Sequence, residues 1–235
     1  MKIEDKYTDG TYLRNSGAWH REDSEWKAML VQSILKVNNI EHGAICELGC
    51  GSGDVLRYLR KLFPFEKLYG YDISPQVTQF WVVPMNSRGD DIAFQLGDFH
   101  SINNIYYDVL LMLDVFEHVR DPFSFLEESH AHAKNFVFHI PLDLSALAVA
   151  RKMPLLHARR TVGHLHSYTK DLAIETLTDC GYKIIDWRYT GAFSNSPNRS
   201  WKTRLASVPR RLLCALDKDL GVRILGGETL LILAE

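Results

Sequence analysis

No stretch of this 235-residue chain is apolar for long enough to span a bilayer, so no transmembrane segment is expected. Its N-terminus, Met1-Lys2-Ile3-Glu4-Asp5-Lys6, lacks the apolar core of a secretory signal, and the expected compartment is cytoplasmic. The four cysteines, Cys46, Cys50, Cys180 and Cys214, contain no C-x-x-C pair, which argues against a zinc ribbon or a dithiol redox motif and for buried reduced thiols. Basic excess is missing too: the net charge is -2, and wide phosphate contact needs a basic face, so no nucleic-acid partner is expected. Internal repeats and low-complexity tracts are absent. What is present, 46% hydrophobic and 24% charged residues, is an ordinary globular composition in a length that suits one well-cored α/β domain and is short for two.

Apolar strand-like runs alternate with helical periodicity, which predicts a parallel sheet with covering helices. Strands are expected near 44–48, 67–71, 92–96, 107–113, 135–140, 183–189 and 229–234. A helix starting at Gly53 puts Val55, Leu56, Leu59 and Leu62 on one face; another opens with Asp121 as N-cap and Pro122 in its first turn; Thr169 caps a third that Gly181 ends. Three segments stand outside this alternation. The N-terminal stretch is aromatic, with Tyr7, Tyr12, Trp19, His20 and Trp26, and its second half repeats Trp26, Met29, Leu30, Ile34 and Val37 as an amphipathic helix would. A segment at 144–166 follows a strand and is expected over its C-terminal end, and one at 194–227 is longer than a hairpin needs. The organisation read from this is a helical lid or extension over 1–42 and one domain over 43–235 with insertions near 144–166 and 194–227.

The run Ile45-Cys46-Glu47-Leu48-Gly49-Cys50-Gly51-Ser52-Gly53-Asp54 reads as a buried strand breaking into a glycine turn that opens a helix. Its glycines fall as G-x-G-x-G, and Asp54 stands where a dinucleotide-binding G-x-G-x-x-G needs its third glycine. Glu47 sharpens the contrast, because a carboxylate so close repels a pyrophosphate and attracts an ammonium group. Asp72 closes the second strand about 20 residues further on, where Rossmann-like sites hold ribose hydroxyls with a carboxylate. Capping the next helix is the competing use of Asp72, one that Ser74 could fill equally well.

On Glu47, Gly49, Gly51 and Gly53 the sequence resembles the class I S-adenosylmethionine-dependent methyltransferases, whose first motif is E/D-x-G-x-G-x-G. The resemblance runs from about Gly43 to the C-terminus. It implies a Rossmann-like α/β fold: a seven-stranded, mostly parallel sheet with an antiparallel last strand, helices on both faces and an N-terminal helical extension. It also implies S-adenosylmethionine as cofactor, held by Glu47, Gly49, Cys50, Gly51 and Gly53 of the turn, by Asp72 and Ile73, by Asp98 with Phe99 against the adenine ring, and by Asp114 and Val115. The segment Asp114-Val115-Phe116-Glu117-His118-Val119-Arg120-Asp121-Pro122 resembles the E-H-V-x-D-P signature of ubiquinone- and menaquinone-type small-molecule methyltransferases. Gly163-His164-Leu165-His166-Ser167-Tyr168-Thr169 resembles the H-x-x-x-[FY]-[ST] stretch bordering their acceptor pocket.

Three roles are open to His118: a general base for a hydroxyl acceptor, a metal ligand together with Asp114 and Glu117, or a loop-fixing hydrogen-bond partner. His139, just before Pro141 at a strand end, is a second candidate base. Tyr12, Trp19, His20, Glu117, His164 and His166 are assigned to the acceptor pocket. No metal ligands are assigned, since a zinc site from His139, His164 and His166 lacks a convincing fourth ligand. His130 and His132 are expected at the surface. The basic residues Arg199, Lys202, Arg204, Arg210, Arg211, Lys218 and Arg223 suit a phosphorylated acceptor, an anionic membrane surface or a solvated helix. The leading expectation is methyl transfer to a small-molecule acceptor at oxygen, sugar- or lipid-linked. A non-catalytic S-adenosylmethionine-binding protein and a nicotinamide-dependent oxidoreductase are the alternatives.

Overall fold

The computed structural model describes residues 21–64, 66–82, 91–191 and 213–235. The described elements, in chain order, are α1 (Ser24–Val37), β1 (Ala44–Leu48), α2 (Asp54–Leu62), β2 (Lys67–Asp72), α3 (Thr78–Trp81), β3 (Ala93–Leu96), α4 (Phe99–Ile102), β4 (Tyr107–Leu113), α5 (Pro122–His130), β5 (Ala133–Pro141), α6 (Ala146–Arg151), α7 (Met153–His157), α8 (Lys170–Asp179), β6 (Ile184–Tyr189), α9 (Lys218–Leu225) and β7 (Thr229–Ala234). The sheet has seven strands in the order β3-β2-β1-β4-β5-β7-β6. β1 pairs parallel with β2 and β4, β2 with β3, and β4 with β5, whereas β7 runs antiparallel to both β5 and β6. Strand order reverses between β1 and β4, and the crevice beyond their C-terminal ends is where such sheets bind ligands.

Near-continuous apolar strands are required because helices cover both faces. Cys46, Leu48, Leu110, Met112, Phe136 and Phe138 face Leu126 of α5, Ala173 and Leu177 of α8, and Tyr182. Ile45, Val109, Leu111, Val137, Leu231 and Leu233 face the other way, onto Ala28, Val31, Ile34 and Leu35 of α1 and Val55, Leu56 and Leu59 of α2. Local chemistry sets the ends of the helices as the sequence indicates. Asp121 accepts from Ser124 N at 3.2 Å to cap α5, and Thr169 Oγ1 accepts from Leu172 N at 3.3 Å to cap α8.

Two expectations are corrected. The buried stripe of α1 is Ala28, Val31, Ile34 and Leu35, while Met29 is 57% and Val37 64% exposed. Small Ala28 lets the helix approach the sheet, and the helix turns so that Lys27 points inward to an acidic partner. His130 and His132 are half-buried: His130 stacks on Phe136 and meets Tyr182 edge-on, and His132 packs edge-on against Phe99. No described helix is long and apolar enough to cross a membrane.

Candidate active site

The turn after β1 is built on left-handed glycines, with φ +72° at Gly49, +51° at Gly51 and +76° at Gly53. A Cβ on Gly53 would lie 2.4 Å from the Phe94 ring, so a side chain there needs a rebuilt turn. Three of the turn's N–H groups are tied to β2, and two of them, Gly49 N and Cys50 N, donate to Tyr71 O at 2.8 and 3.0 Å. Gly51 N donates to Asp72 Oδ2 at 2.8 Å, and Ser74 N to Asp72 Oδ1 at 2.8 Å. Burial raises the Asp72 carboxyl above its ordinary value against these hydrogen bonds. Cys50 is buried in the same wall, and burial pushes its thiol well up, which makes it a packing group.

Glu47, at the end of β1, is 4% exposed, and its Oε2 has no hydrogen-bond partner. Burial pushes its carboxyl up to about 8, against the pull of Lys27 and with the repulsion of Asp72 and Asp54 adding to it. Lys27 reaches in from α1 to Asp114 Oδ2 at 2.7 Å. His139 Nδ1 donates to Asp114 Oδ1 at 2.6 Å, His139 Nε2 meets Thr229 Oγ1 at 2.9 Å, and Trp26 covers the imidazole edge-on with ring centroids 5.6 Å apart. Burial works to raise the Asp114 carboxyl, but His139 and Lys27 overcome it and hold the group below the ordinary carboxylate range. Asp114 adopts φ +58°, a left-handed conformation costly for a residue with a side chain, so the pairing also holds a strained turn after β4.

The third wall comes from chain segments far apart in sequence. Leu165 N and His166 N both donate to Glu117 O, at 2.8 and 3.1 Å, and His166 Nε2 donates to Val119 O at 3.0 Å. These bonds staple residues 163–166 onto the 3-10 turn Phe116–His118, bringing the His118 and His164 rings to 4.8 Å centroid separation. Asp143, just past β5, pairs with His164 Nδ1. Glu117 lies behind the two imidazoles, fully buried, with neither carboxylate oxygen hydrogen-bonded; burial and the Asp114 charge push it well above its ordinary value.

One cavity of about 740 Å³ is lined by the glycine turn, Glu47, Asp72, Ile73, Asp98 and Phe99 and also by Asp114, Val115, His118 and His164. A methyltransferase-domain family model matches residues 18–186. The chain belongs to the methyltransferase-domain family. The demethylmenaquinone methyltransferase of Thermotoga maritima is 28% identical over 108 residues, a segment covering 46% of this chain and only 43% of that relative. Among solved structures, a magnesium protoporphyrin IX methyltransferase from Synechocystis with bound S-adenosylmethionine superposes with a TM-score of 0.62 at 14% identity, covering 100% of this chain and 97% of that one. The plantazolicin methyltransferase BpumL, solved with a substrate analogue and S-adenosylhomocysteine, gives 0.63 at 16% identity, covering 99% and 93%. A methyltransferase in complex with the Haloferax volcanii Trm112 activator gives 0.64 at 21% identity, covering 99% and 96%. At these identities the structures establish the fold.

The cofactor of this methyltransferase family is S-adenosylmethionine, and the cavity suits it. Glu47 offers a buried acceptor with no protein partner, as an ammonium group requires, and Gly49 leaves open a space that its Cβ would close against Val115 at 3.0 Å. Asp98 is exposed at the cavity edge. Phe99, expected against the adenine ring, is 2% exposed and packs edge-on to Tyr71 at 5.0 Å, so it is chiefly a core residue with an edge on the cavity. His139 and His166 are not among the lining residues: both ring nitrogens of His139 are engaged, and His166 is turned to a backbone carbonyl. Tyr12, Trp19 and His20 lie outside the described residues, as do Arg199, Lys202, Arg204, Arg210 and Arg211 of the basic stretch.

Sequence reasoning passed over Lys27, Asp143 and Thr229. A lysine beside the buried stripe of an amphipathic helix, and an acid two residues beyond Pro141 at a strand's C-terminal end, were the available signals. The Thr229 contact comes from the β5–β7 pairing, in which Pro141 faces Thr229, and no local pattern announces it.

Proposed function

We propose that this chain transfers a methyl group from S-adenosylmethionine to a hydroxyl oxygen of a small-molecule acceptor. The observation carrying this reading is that one cavity is lined both by the acidic, glycine-rich turn and by the imidazoles of His118 and His164. S-adenosylmethionine supplies a methyl group already activated on a sulfonium, so the protein's share is alignment and exclusion of water. Glu47 would receive the ammonium, Asp72 the ribose hydroxyls, and Asp98 with Ile73 the adenine edge. Asp114, pinned by Lys27 and His139, holds the turn that carries Val115 and leads to His118. His139 thus acts as a positioning residue, and His118, which faces the cavity, is the residue placed to accept a hydroxyl proton. A sugar- or lipid-linked acceptor suits the basic 194–227 insertion, in which Lys218 lies over the Tyr189 ring at 5.2 Å.

The test has two parts. S-adenosylmethionine and S-adenosylhomocysteine, but not NAD, should raise the melting temperature. Labelled methyl groups should then reach an acceptor in a metabolite extract as a methyl ether, and His118→Ala should abolish that label while keeping the S-adenosylhomocysteine shift. A shift with NAD alone would sink the donor assignment. A shift with S-adenosylmethionine and no labelled product would favour a non-catalytic binding protein.

A further inference from the structure

We infer that α6 and α7, with the adjoining α9, form a face that docks on an anionic lipid bilayer. Residues 144–166 hold four bases, Arg151, Lys152, Arg159 and Arg160, and no aspartate or glutamate, in a chain whose net charge is -2. All four are exposed, and none is ion-paired among the described residues. Apolar side chains stand between these cations: Val149 is 57% and Met153 62% exposed, and Leu147 is exposed beside them. α9 packs against α6, so closely that a Cβ on Gly226 would lie 2.7 Å from Ser145 Oγ. α9 and the residue before its cap expose Leu216, Leu220 and Ile224 together with Lys218 and Arg223. Its acids are engaged, Asp217 in capping the helix and Asp219 with Lys170.

This mixture of side chains decides the partner. A nucleic-acid backbone would use the cations but not the exposed aliphatic chains, and residues 144–166 contain no phenylalanine, tyrosine or tryptophan on which bases could stack. An anionic bilayer uses both, pairing headgroups with arginine and lysine while aliphatic side chains enter the boundary with the acyl chains. A net acidic chain is repelled by such a surface except where its bases are gathered. A second cavity of about 370 Å³ is lined by residues of both α6 and α9, among them Leu147, Arg151 and Leu225, and it shares Pro141 and Thr229 with the larger cavity. The docking face therefore adjoins the cavity that His118 and His164 line. Entry of an acceptor from the bilayer on this side rests on the proposed methyl transfer, whereas the face itself does not.

The test is co-sedimentation of the full chain with vesicles of phosphatidylcholine alone or mixed in equal parts with phosphatidylglycerol. The chain should bind the anionic vesicles only, and more weakly as salt is raised. Arg151→Gln/Lys152→Gln/Arg160→Gln should weaken partition about 100-fold, at about fivefold per base. Val149→Ser/Met153→Ser, which leaves the charge untouched, should weaken it about 10-fold. Circular dichroism and the S-adenosylhomocysteine thermal shift report that both variants are folded. No binding of the wild-type chain to anionic vesicles, or undiminished binding by either folded variant, overturns the face. Binding to a homopolymeric RNA in preference to the vesicles overturns it in favour of a nucleic-acid partner, and a lipid-free dimer that Val149→Ser/Met153→Ser dissociates overturns it in favour of self-association. Vesicle binding without any S-adenosylhomocysteine shift overturns the donor reading and leaves the face standing.

Discussion

Glu47 should make cofactor binding pH-dependent in a direction fixed by its surroundings. In the unliganded protein its carboxyl is raised to about 8, so at neutral pH it is mostly protonated. A cationic ammonium needs the carboxylate, so binding must release a proton below pH 8. The ligand's own ammonium, beside its free carboxylate, keeps its proton across the neutral range, so the pH dependence there is set by Glu47. The ionised fraction of Glu47 falls about 50-fold from pH 8 to pH 6. Isothermal titration with S-adenosylhomocysteine from pH 6 to 9, in buffers of different ionisation enthalpy, reads both the limb and the released proton. The same residue shapes stability in the opposite sense. Because its folded value lies above its ordinary one, the folded chain holds an extra proton between about pH 4.5 and 8, and unliganded stability falls as pH rises through that window. Relieving this penalty is worth up to about 3 kcal/mol at pH 7. Glu47→Gln should therefore weaken S-adenosylhomocysteine binding, erase the acid limb and raise the melting temperature of the unliganded protein. An unchanged acid limb in Glu47→Gln, or a less stable unliganded variant, would refute the reasoning.

Other perturbations separate the parts of the site. Gly53→Ala forces a Cβ to 2.4 Å from the Phe94 ring at φ +76°, and should cost about 1–3 kcal/mol in urea unfolding along with S-adenosylhomocysteine affinity. Lys27→Met strips Asp114 of its lysine and should cost about 3 kcal/mol. With that cation gone the Glu47 carboxyl rises further, so the acid limb of binding should move to higher pH; an unmoved limb would mean that Lys27 does not act on Glu47. Val31→Ala should lower stability by about 1–2 kcal/mol in the same unfolding assay, whereas Met29→Ala, two residues away but exposed, should stay within about 0.5 kcal/mol.

The sheet was legible because each strand carries its own signal. Both faces are covered, so β1, β4 and β5 are mostly apolar, and Asp121 and Thr169 mark helix starts with hydrogen bonds made inside a single turn. The face of α1 was not legible, because periodicity alone ranked Met29 and Val37 with Ile34. What decided the rotation was a partner 87 positions away, Asp114, which draws Lys27 inward and leaves Met29 in solvent. His130 and His132 were misread for a similar reason: a histidine at the end of a helix looks solvated until Phe136, Tyr182 and Phe99 fold against it.

The same distinction divides the candidate site. The wall of glycines, Glu47 and Asp72 comes from two consecutive strands and the turn after the first, and its bonds, Gly49 and Cys50 to Tyr71 and Gly51 to Asp72, join neighbours in one β-α-β unit. A contiguous unit keeps its spacing in the sequence, so it can be recognised there. The opposite wall exists only once residues 163–166 are bonded onto Glu117 and Val119 and Asp143 meets His164. Each of its side chains has a bland local reading, and its chemistry arises from their meeting. His139 shows the reverse: a histidine placed at a strand end by its sequence position becomes a brace once Asp114 and Thr229 occupy both nitrogens. If, as proposed, this wall faces the acceptor, changing the 144–166 segment should alter what is methylated while leaving the affinity for the methyl donor where the β1 turn sets it.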